Sequence, residues 1–263
     1  MSKSLLLSLL LAATSAFACG EVVTLQTHDG TTTRYALSAP QDPKGALILL
    51  AGGGGYLDLD AQGCARKLKG NSLVRSQELF HREGFATALV DAPSDHTAMD
   101  GLGGFRAQAP HAEDLGKVVA DLRARVKGPV WVVGTSRGAI SAANAAARLS
   151  ALDGVVLTSP VMVGTARGRK SWTAQTVHDN RIEDIRMPLL VVSHAQDGCF
   201  RSPPAGAQGI ADRYKGARSQ VVVVSGGTPG AGDGCEGRTP HGFNGMEAEV
   251  AAGIARFVRG GRY

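Results

Sequence analysis

The sequence contains a Gly-x-Ser-x-Gly motif, Gly134-Thr135-Ser136-Arg137-Gly138, between an apolar run and an Ala-rich stretch. The run at 130–133 predicts a buried strand, and the stretch at 137–149 predicts a helix. A serine at so tight a turn takes strained backbone angles, and side chains in place of the two glycines would collide with the neighbouring strand and helix. The motif therefore predicts that Ser136 is an exposed nucleophile in a sheet whose strands alternate with helices.

Apolar runs and stretches with helical periodicity alternate along the rest of the chain, as in a mostly parallel α/β sheet with helices on both faces. About eight strands are expected, at 21–27, 32–38, 46–50, 85–90, 130–133, 154–158, 189–193 and 220–224, the first two forming a hairpin. Helices are expected at 72–83, 111–127, 137–149, 205–214 and 244–259. The region 160–186 holds at most one weak helix, which predicts an open or shallowly covered site without a large cap domain.

The first 18 residues resemble a signal peptide, with Lys3, an apolar segment and the small-x-small cleavage site Ala16-Phe17-Ala18. The segment is too short to span a bilayer comfortably, so we expect no stable membrane insertion. The expected product is a periplasmic or extracellular protein with a single domain over 19–263. Lipoprotein processing at Cys19 is a minor alternative, because Phe17 and Ala16 make a poor lipidation signal.

Cleavage after Ala18 leaves four cysteines, which can pair completely in an oxidising compartment. Of the three connectivities we favour Cys199 with Cys235 and Cys19 with Cys64. The cysteines have no CxxC spacing, and no metal site is predicted.

Charge does not indicate a nucleic-acid partner. The formal net charge is +5, and removal of Lys3 with the signal peptide lowers it by one. Basic residues are scattered, and the densest group, Arg167, Arg169 and Lys170, is interpreted as a solvated loop.

Two further polar residues follow predicted strands at the carboxyl edge of the sheet, where ligands bind in folds of this type. Asp197 follows the strand 189–193, and His241 lies in the loop after the strand 220–224. The order serine, acid, histidine is the one expected for a catalytic triad on such a sheet. Other carboxylates and histidines are weaker candidates, namely Asp153, Asp184, Asp233, His28, His81, His178 and His194. Of the carboxylates only Asp197 directly follows the penultimate strand. His28 and His81 precede the serine, His178 precedes the acid, and His194 is at a strand end three residues before it.

With these residues the chain resembles the α/β-hydrolase superfamily from Val22 to the last helix. The resemblance implies Ser136 as nucleophile, His241 as general base and acid, and Asp197 as the group that orients the imidazole. It also implies an oxyanion hole from the backbone N–H of Arg137 and one N–H of the glycine loop after the strand 46–50. The loop candidates are Gly53, Gly54, Gly55 and Tyr56; Ala51 stands where lipase-like relatives have histidine.

Three loops are expected near the site. A Cys199–Cys235 disulfide would tie the loop of Asp197 to that of His241. The carboxylates of the segment 91–96 either contact a polar substrate group or, as we favour, accept turn hydrogen bonds. Trp172 and Phe200 are candidates for an apolar wall, with a core role as the alternative.

The sequence thus predicts a secreted serine esterase acting on a small-molecule ester or acyl substrate, without metal or organic cofactor. A peptidase or amidase, a thioesterase or acyltransferase, and a catalytically silent binding protein of the same fold are the alternatives. A silent form would be expected to lack a triad residue, and all three are present.

Overall fold

The computed structural model describes residues 19–165 and 170–263, so the predicted signal peptide and the residues Arg167 and Arg169 lie outside the described part. Its centre is an eight-stranded sheet with the order β1-β2-β4-β3-β5-β6-β7-β8. The strands are β1 (Glu21–Gln26), β2 (Thr32–Ser38), β3 (Ala46–Leu50), β4 (Ala86–Val90), β5 (Val130–Thr135), β6 (Gly154–Thr158), β7 (Leu189–His194) and β8 (Ser219–Val224).

The sheet is mostly parallel, as predicted. Strand β2 pairs antiparallel with both β1 and β4. All other neighbours are parallel, which places the carboxyl ends of β3 to β8 at one edge. The central strands are buried on both faces, which explains their continuous runs of apolar residues.

Among the described residues, six α-helices cover the two faces of the sheet. They are α1 (Ser72–Arg75), α2 (Gln77–Arg82), α3 (Ala109–Arg125), α4 (Gly138–Arg148), α5 (Ala207–Arg213) and α6 (Glu247–Val258). One hydrophobic core joins α3, α4 and α5 to the sheet, and the other joins α1, α2 and α6 to the opposite face. Within the described ranges, no helix is long and apolar enough to cross a membrane.

Three of the differences from the predicted helix boundaries have a local structural cause. The helix expected at 72–83 is divided at Ser76, whose carbonyl accepts from the Leu79 and Phe80 amides. Helix α6 begins at Glu247, because Phe243 and Gly245 have positive φ angles of 56° and 78° that interrupt a helix. A 3₁₀ turn at Pro204–Gly206 precedes α5.

The region 160–186 forms no large cap in its described residues. It contains short 3₁₀ turns at Ser171–Ala174, Val177–Asp179 and Ile182–Asp184.

Disulfides join Cys19 to Cys64 and Cys199 to Cys235, the two pairings favoured on the sequence. The first uses the Cys19 sulfur that lipidation would require. It therefore speaks against the lipoprotein alternative.

Candidate active site

Ser136 lies at the turn between β5 and α4, in a left-handed conformation with φ of 53°. Close contacts with the backbone require glycine at both flanking positions, Gly134 and Gly138. A Cβ at Gly134 would lie 2.3 Å from the Gly138 carbonyl oxygen, and one at Gly138 would lie 2.1 Å from the Leu50 carbonyl oxygen. Positions 134 and 138 therefore have no room for a side chain, because the backbone packs against Gly138 at the first and against β3 at the second. This close packing is the physical basis of the Gly-x-Ser-x-Gly motif.

Asp197 and His241 come together at the carboxyl edge of the sheet, after β7 and β8. His241 Nδ1 lies 2.9 Å from Asp197 Oδ2, and both side chains are buried. Asp197 Oδ1 accepts from the Cys199 amide at 2.8 Å. Since a carboxylate only accepts, Nδ1 carries the proton and Nε2 is left with its lone pair.

His241 lines the same cavity as Ser136. The cavity has a volume of about 310 Å³, and Ser136 and His241 both line it. His241 Nε2 is buried and has no hydrogen-bond partner among the described residues. A base with its second nitrogen available beside a hydroxyl is the arrangement that activates a serine; catalytic hydrogen bonds are often long before a substrate binds.

The glycine loop after β3 lies only partly at the cavity of Ser136. Gly53 lines the cavity of Ser136, and so does Gly52, which the sequence analysis did not include. The Gly55 amide donates to the Gly52 carbonyl at 3.1 Å, so the chain forms a tight turn at this point. Gly54 then packs beside Met99 and Asp100, and the Tyr56 hydroxyl donates to Asp58.

The turn explains why Gly54, Gly55 and Tyr56 are poorer donor candidates than Gly53: none of the three lines the cavity. A run of four glycines carries no signal for where such a turn falls. The Arg137 amide follows the nucleophile directly, as expected.

Arg106 stabilises the glycine loop through hydrogen bonds of its side chain. Its guanidinium donates to the carbonyls of Ala51 and Gly53, at 3.1 and 3.2 Å, and to Ser141 Oγ at 2.9 Å. The side chain is 1% exposed, and burial lowers the pKa of Arg106 well below its usual range. The sequence analysis assigned Arg106 no such role.

Arg75, which the sequence analysis missed, joins the walls of the cavity. Its guanidinium donates to the carbonyls of Gly70, Gly237 and Gly242, the last at 2.7 Å. It also pairs with Glu247 at 2.8 Å. These contacts link the loop before α1 to the residue that directly follows His241. An arginine on a short amphipathic helix gives no sequence signal for such a role.

The Cys199–Cys235 disulfide joins the loop of Asp197 to the loop of His241, as the sequence hypothesis required. Thr239 stabilises the second loop further, since its hydroxyl accepts from the His241 amide at 3.2 Å and donates to the Glu236 carbonyl at 2.8 Å. The chain between the glycine-rich segment and His241 is therefore held by a disulfide and by hydrogen bonds of Thr239.

The rival residues have other contacts. Asp153 pairs with Arg123, and Asp184 pairs with Arg181. His194 is buried; its Nδ1 accepts from the Gln196 amide and its Nε2 lies 3.1 Å from the Gly226 carbonyl. None of these residues lines the cavity of Ser136.

The segment after β4 acts mainly through backbone contacts. Buried Asp91 accepts from the amides of Leu57, Leu59 and Ala92 at 2.6–3.0 Å, and burial raises the pKa of its carboxyl. Asp91 thus accepts backbone hydrogen bonds, but two of the three come from Leu57 and Leu59, outside the turn that the sequence analysis favoured.

The two aromatic candidates behave differently. The Trp172 ring lies 3.9 Å from the Arg137 guanidinium, so it is close to the nucleophile turn. Phe200 is 65% exposed, and neither Trp172 nor Phe200 lines the cavity of Ser136. Burial together with nearby Arg201 lowers the pKa of Arg137 to about 10.

No protein-family model and no curated protein matches the chain. Solved structures with a similar fold were found. A complex of DcsB with its substrate analogue aligns with a TM-score of 0.63 and 16% identity, over 91% of this chain and 98% of that one. Est1E from Butyrivibrio proteoclasticus with bound ferulic acid aligns with a TM-score of 0.60 and 16% identity, over 90% and 98%. A dienelactone hydrolase from Anabaena variabilis aligns with a TM-score of 0.57 and 13% identity, over 92% and 97%.

The strand order, the strained serine turn and these likenesses establish the class of protein: the chain has the α/β-hydrolase fold.

Proposed function

We propose that the protein is an exported serine hydrolase that cleaves carboxylic esters through an acyl-enzyme on Ser136. The observation that carries the proposal is the placement of His241. It hydrogen-bonds to buried Asp197 through Nδ1 and lines the cavity of Ser136, with Nε2 available as a base.

In the proposed reaction, Ser136 Oγ attacks the ester carbonyl carbon while His241 Nε2 takes its proton. The amides of Arg137 and Gly53 donate to the oxyanion. Collapse expels the alcohol, which leaves with the proton from His241. Water then attacks the acyl-enzyme with His241 again as base, and the acid and free Ser136 are released. Asp197 stabilises the imidazolium in both halves.

The cavity walls support a short or polar acyl group as the substrate portion near Ser136. Five of the lining residues are glycines, and Leu68 is the one large apolar side chain among the described lining residues. A long-chain lipid would find little apolar surface to bury in a cavity of about 310 Å³.

The test is hydrolysis of p-nitrophenyl esters from acetate to palmitate by the wild type, Ser136→Ala and the surface control Ser150→Ala. We expect the wild type and the control to hydrolyse short esters best and Ser136→Ala to lose about 10⁴-fold or more in kcat/KM. A fluorophosphonate probe should label the wild type and not Ser136→Ala. Equal activity in all three proteins, or neither activity nor labelling in the wild type, would refute the proposal. If the probe labels the wild type but the wild type hydrolyses only anilides or only thioesters, the amidase or the thioesterase alternative, respectively, would be favoured.

Export is supported by the signal-like residues 1–18 and by the two disulfides, one of which includes the first residue after the expected cleavage site. Mass spectrometry of the protein recovered outside the cytoplasm should find Cys19 as its first residue. A chain that keeps Met1 or carries a lipid on Cys19 would contradict this part of the proposal.

A further inference from the structure

Three metal-ligating side chains converge outside the catalytic cavity. His28 lies in the 3₁₀ turn between β1 and β2, while Asp95 and His96 follow β4. Asp95 Oδ2 lies 3.2 Å from His28 Nε2 and 3.8 Å from His96 Nε2, and the three ligand atoms all lie within 4.8 Å of one another. None of the three residues lines the cavity of Ser136.

The other nitrogen of each imidazole is held by an acceptor. His28 Nδ1 lies 2.5 Å from Oδ2 of buried Asp114, whose Oδ1 accepts from the His28 amide at 2.9 Å. His96 Nδ1 lies 3.1 Å from the Gly101 carbonyl oxygen. Since a carbonyl or a carboxylate accepts, both Nδ1 atoms carry a proton, which leaves Nε2 of each ring, on the side of the Asp95 carboxylate, as the ligand atom. An ion would replace the proton that His28 Nε2 shares with Asp95 Oδ2. Histidine ligands of metal ions are oriented in this way.

The surroundings keep the two rings in place. The buried Phe105 ring packs against both, with centroids 4.8 Å from His28 and 4.4 Å from His96. The Asp95 side chain is 45% exposed and so can move toward an ion that enters from solvent. The site therefore combines two fixed imidazoles with one adjustable carboxylate.

We propose that His28, Asp95 and His96 bind a divalent ion of the Zn²⁺ type. Two imidazoles and a carboxylate are suitable ligands for zinc. Ligand atoms of a tetrahedral zinc ion are separated by about 3.3 Å, which is close to the 3.2 Å between His28 Nε2 and Asp95 Oδ2. Three protein ligands leave one position for water. The ion joins the turn between β1 and β2 to the segment after β4.

The segment after β4 also reaches the glycine loop of the catalytic site. The Leu102 amide donates to the Gly54 carbonyl at 2.8 Å, and Arg106 at the end of the segment holds Ala51 and Gly53. The ion thus stabilises a region that supports the catalytic loop, without contacting the cavity. The proposal does not depend on ester hydrolysis.

The experiment is titration of chelator-treated full-length mature protein with Co²⁺, followed by its d–d absorption, and with Zn²⁺ in competition. The wild type should bind one equivalent. His28→Gln and His96→Gln should each weaken binding at least 10-fold, and Asp114→Asn should weaken it by about 10–100-fold. His81→Gln, on α2, is the matched control and should bind as the wild type does.

Two further variants test whether this site is independent of the proposed catalytic site. Ser136→Ala and His241→Gln should keep the single equivalent. Loss of binding in His241→Gln, or unchanged binding in both His28→Gln and His96→Gln, would overturn the proposal. So would the absence of saturable binding by the wild type, in which case the cluster is only an ion pair of His28 with its two carboxylates.

A measurement on the wild type alone guards against a variant that fails to fold. Zn²⁺ at about 100 times its Kd should raise the Tm by about 5 °C or more, and chelation should reverse the increase. An unchanged Tm would count against binding to the folded protein.

Discussion

At the scale of single residues, Gly52 is a position where an added methyl group would press directly on Ser136. A Cβ there would lie 2.9 Å from Ser136 Cβ and 3.1 Å from the Thr135 carbonyl oxygen. Gly52→Ala should therefore shift Ser136 or the glycine loop and lower kcat by about 10²-fold, as small misplacements of reacting groups do.

Gly209→Ala is the matched control for Gly52→Ala. Gly209 lies in α5, and a Cβ there would meet no heavy atom within 4 Å. The control should keep wild-type kcat and be slightly more stable, by about 0.4–1 kcal/mol. Wild-type kcat in Gly52→Ala, measured with the p-nitrophenyl ester that turns over best, would contradict the assigned role of the loop.

His111 makes stability depend on pH. It is buried in α3, neither ring nitrogen has a hydrogen-bond partner among the described residues, and burial together with nearby Arg106 lowers its pKa to about 3. Below about pH 6.5 the unfolded chain binds a proton that the folded chain does not, so this histidine costs stability as the pH falls toward 3. The effect is opposite to that of a histidine with a raised pKa.

Replacing His111 with leucine should remove this acid sensitivity. Between pH 7 and pH 5, the wild type should lose about 2 kcal/mol more of its free energy of unfolding than His111→Leu does. Urea unfolding at the two pH values measures the difference. Equal losses in the two proteins would show that His111 titrates normally in the folded state.

At the scale of elements, Arg75 connects α1 to the loop of His241. Arg75→Met would leave three glycine carbonyls without their donor and Glu247 without its partner. We expect a loss of about 2–4 kcal/mol in the free energy of unfolding and a lower kcat at nearly unchanged KM, because His241 is positioned less well.

Arg82→Met is the control for Arg75→Met, because Arg82 is exposed and pairs only with exposed Glu78 among the described residues. It should behave as the wild type in urea unfolding and in kcat. Arg75→Lys should recover part of the loss, since an ammonium group cannot reach all the acceptors of the guanidinium. A wild-type kcat in Arg75→Met would mean that the loop holds its position without this side chain.

The elements themselves were largely predictable. Apolar runs located the eight strands. Most of these strands are buried on both faces, so their sequences are continuously apolar and easy to recognise. The boundaries that failed depend on conformation at single residues, such as the positive φ of Phe243 before α6. Phenylalanine is not a residue type whose presence indicates a left-handed backbone, so the sequence gives no warning.

At the scale of the whole molecule, the two disulfides close chain segments of similar length, with separations of 45 and 36 residues. Loss of either by double substitution to serine should therefore cost a similar amount of stability, about 2–4 kcal/mol. Their positions differ, since only the Cys199–Cys235 bond joins the loops of Asp197 and His241.

The prediction is that Cys199→Ser/Cys235→Ser lowers kcat as well as Tm, whereas Cys19→Ser/Cys64→Ser lowers Tm alone. Assays well below either Tm separate the two effects. Equal kcat in both double variants would show that the bond between the catalytic loops serves stability only.

The sequence predicted the long-range arrangement of Ser136, Asp197 and His241 because chain order and strand ends determine which loops share an edge of the sheet. It did not predict the residues that support them. Arg75 and Arg106 act on backbone carbonyls of glycines far away in the chain, and such contacts have no pattern of residue types. The same holds for His28 and Asp114, which lie 86 residues apart.

The backbone walls of the catalytic cavity limit how its specificity can diversify. Gly237 and Gly242 cannot accept a side chain, since a Cβ would lie 2.3 Å from the Gly70 carbonyl oxygen and 1.9 Å from that of Gly237, respectively. Substitutions at the glycines can only add atoms, so with this backbone the cavity is already at its widest. Diversification toward other substrates would therefore rely on the few side chains of the wall, Leu68, Asn71 and Glu236, or on a change in loop length.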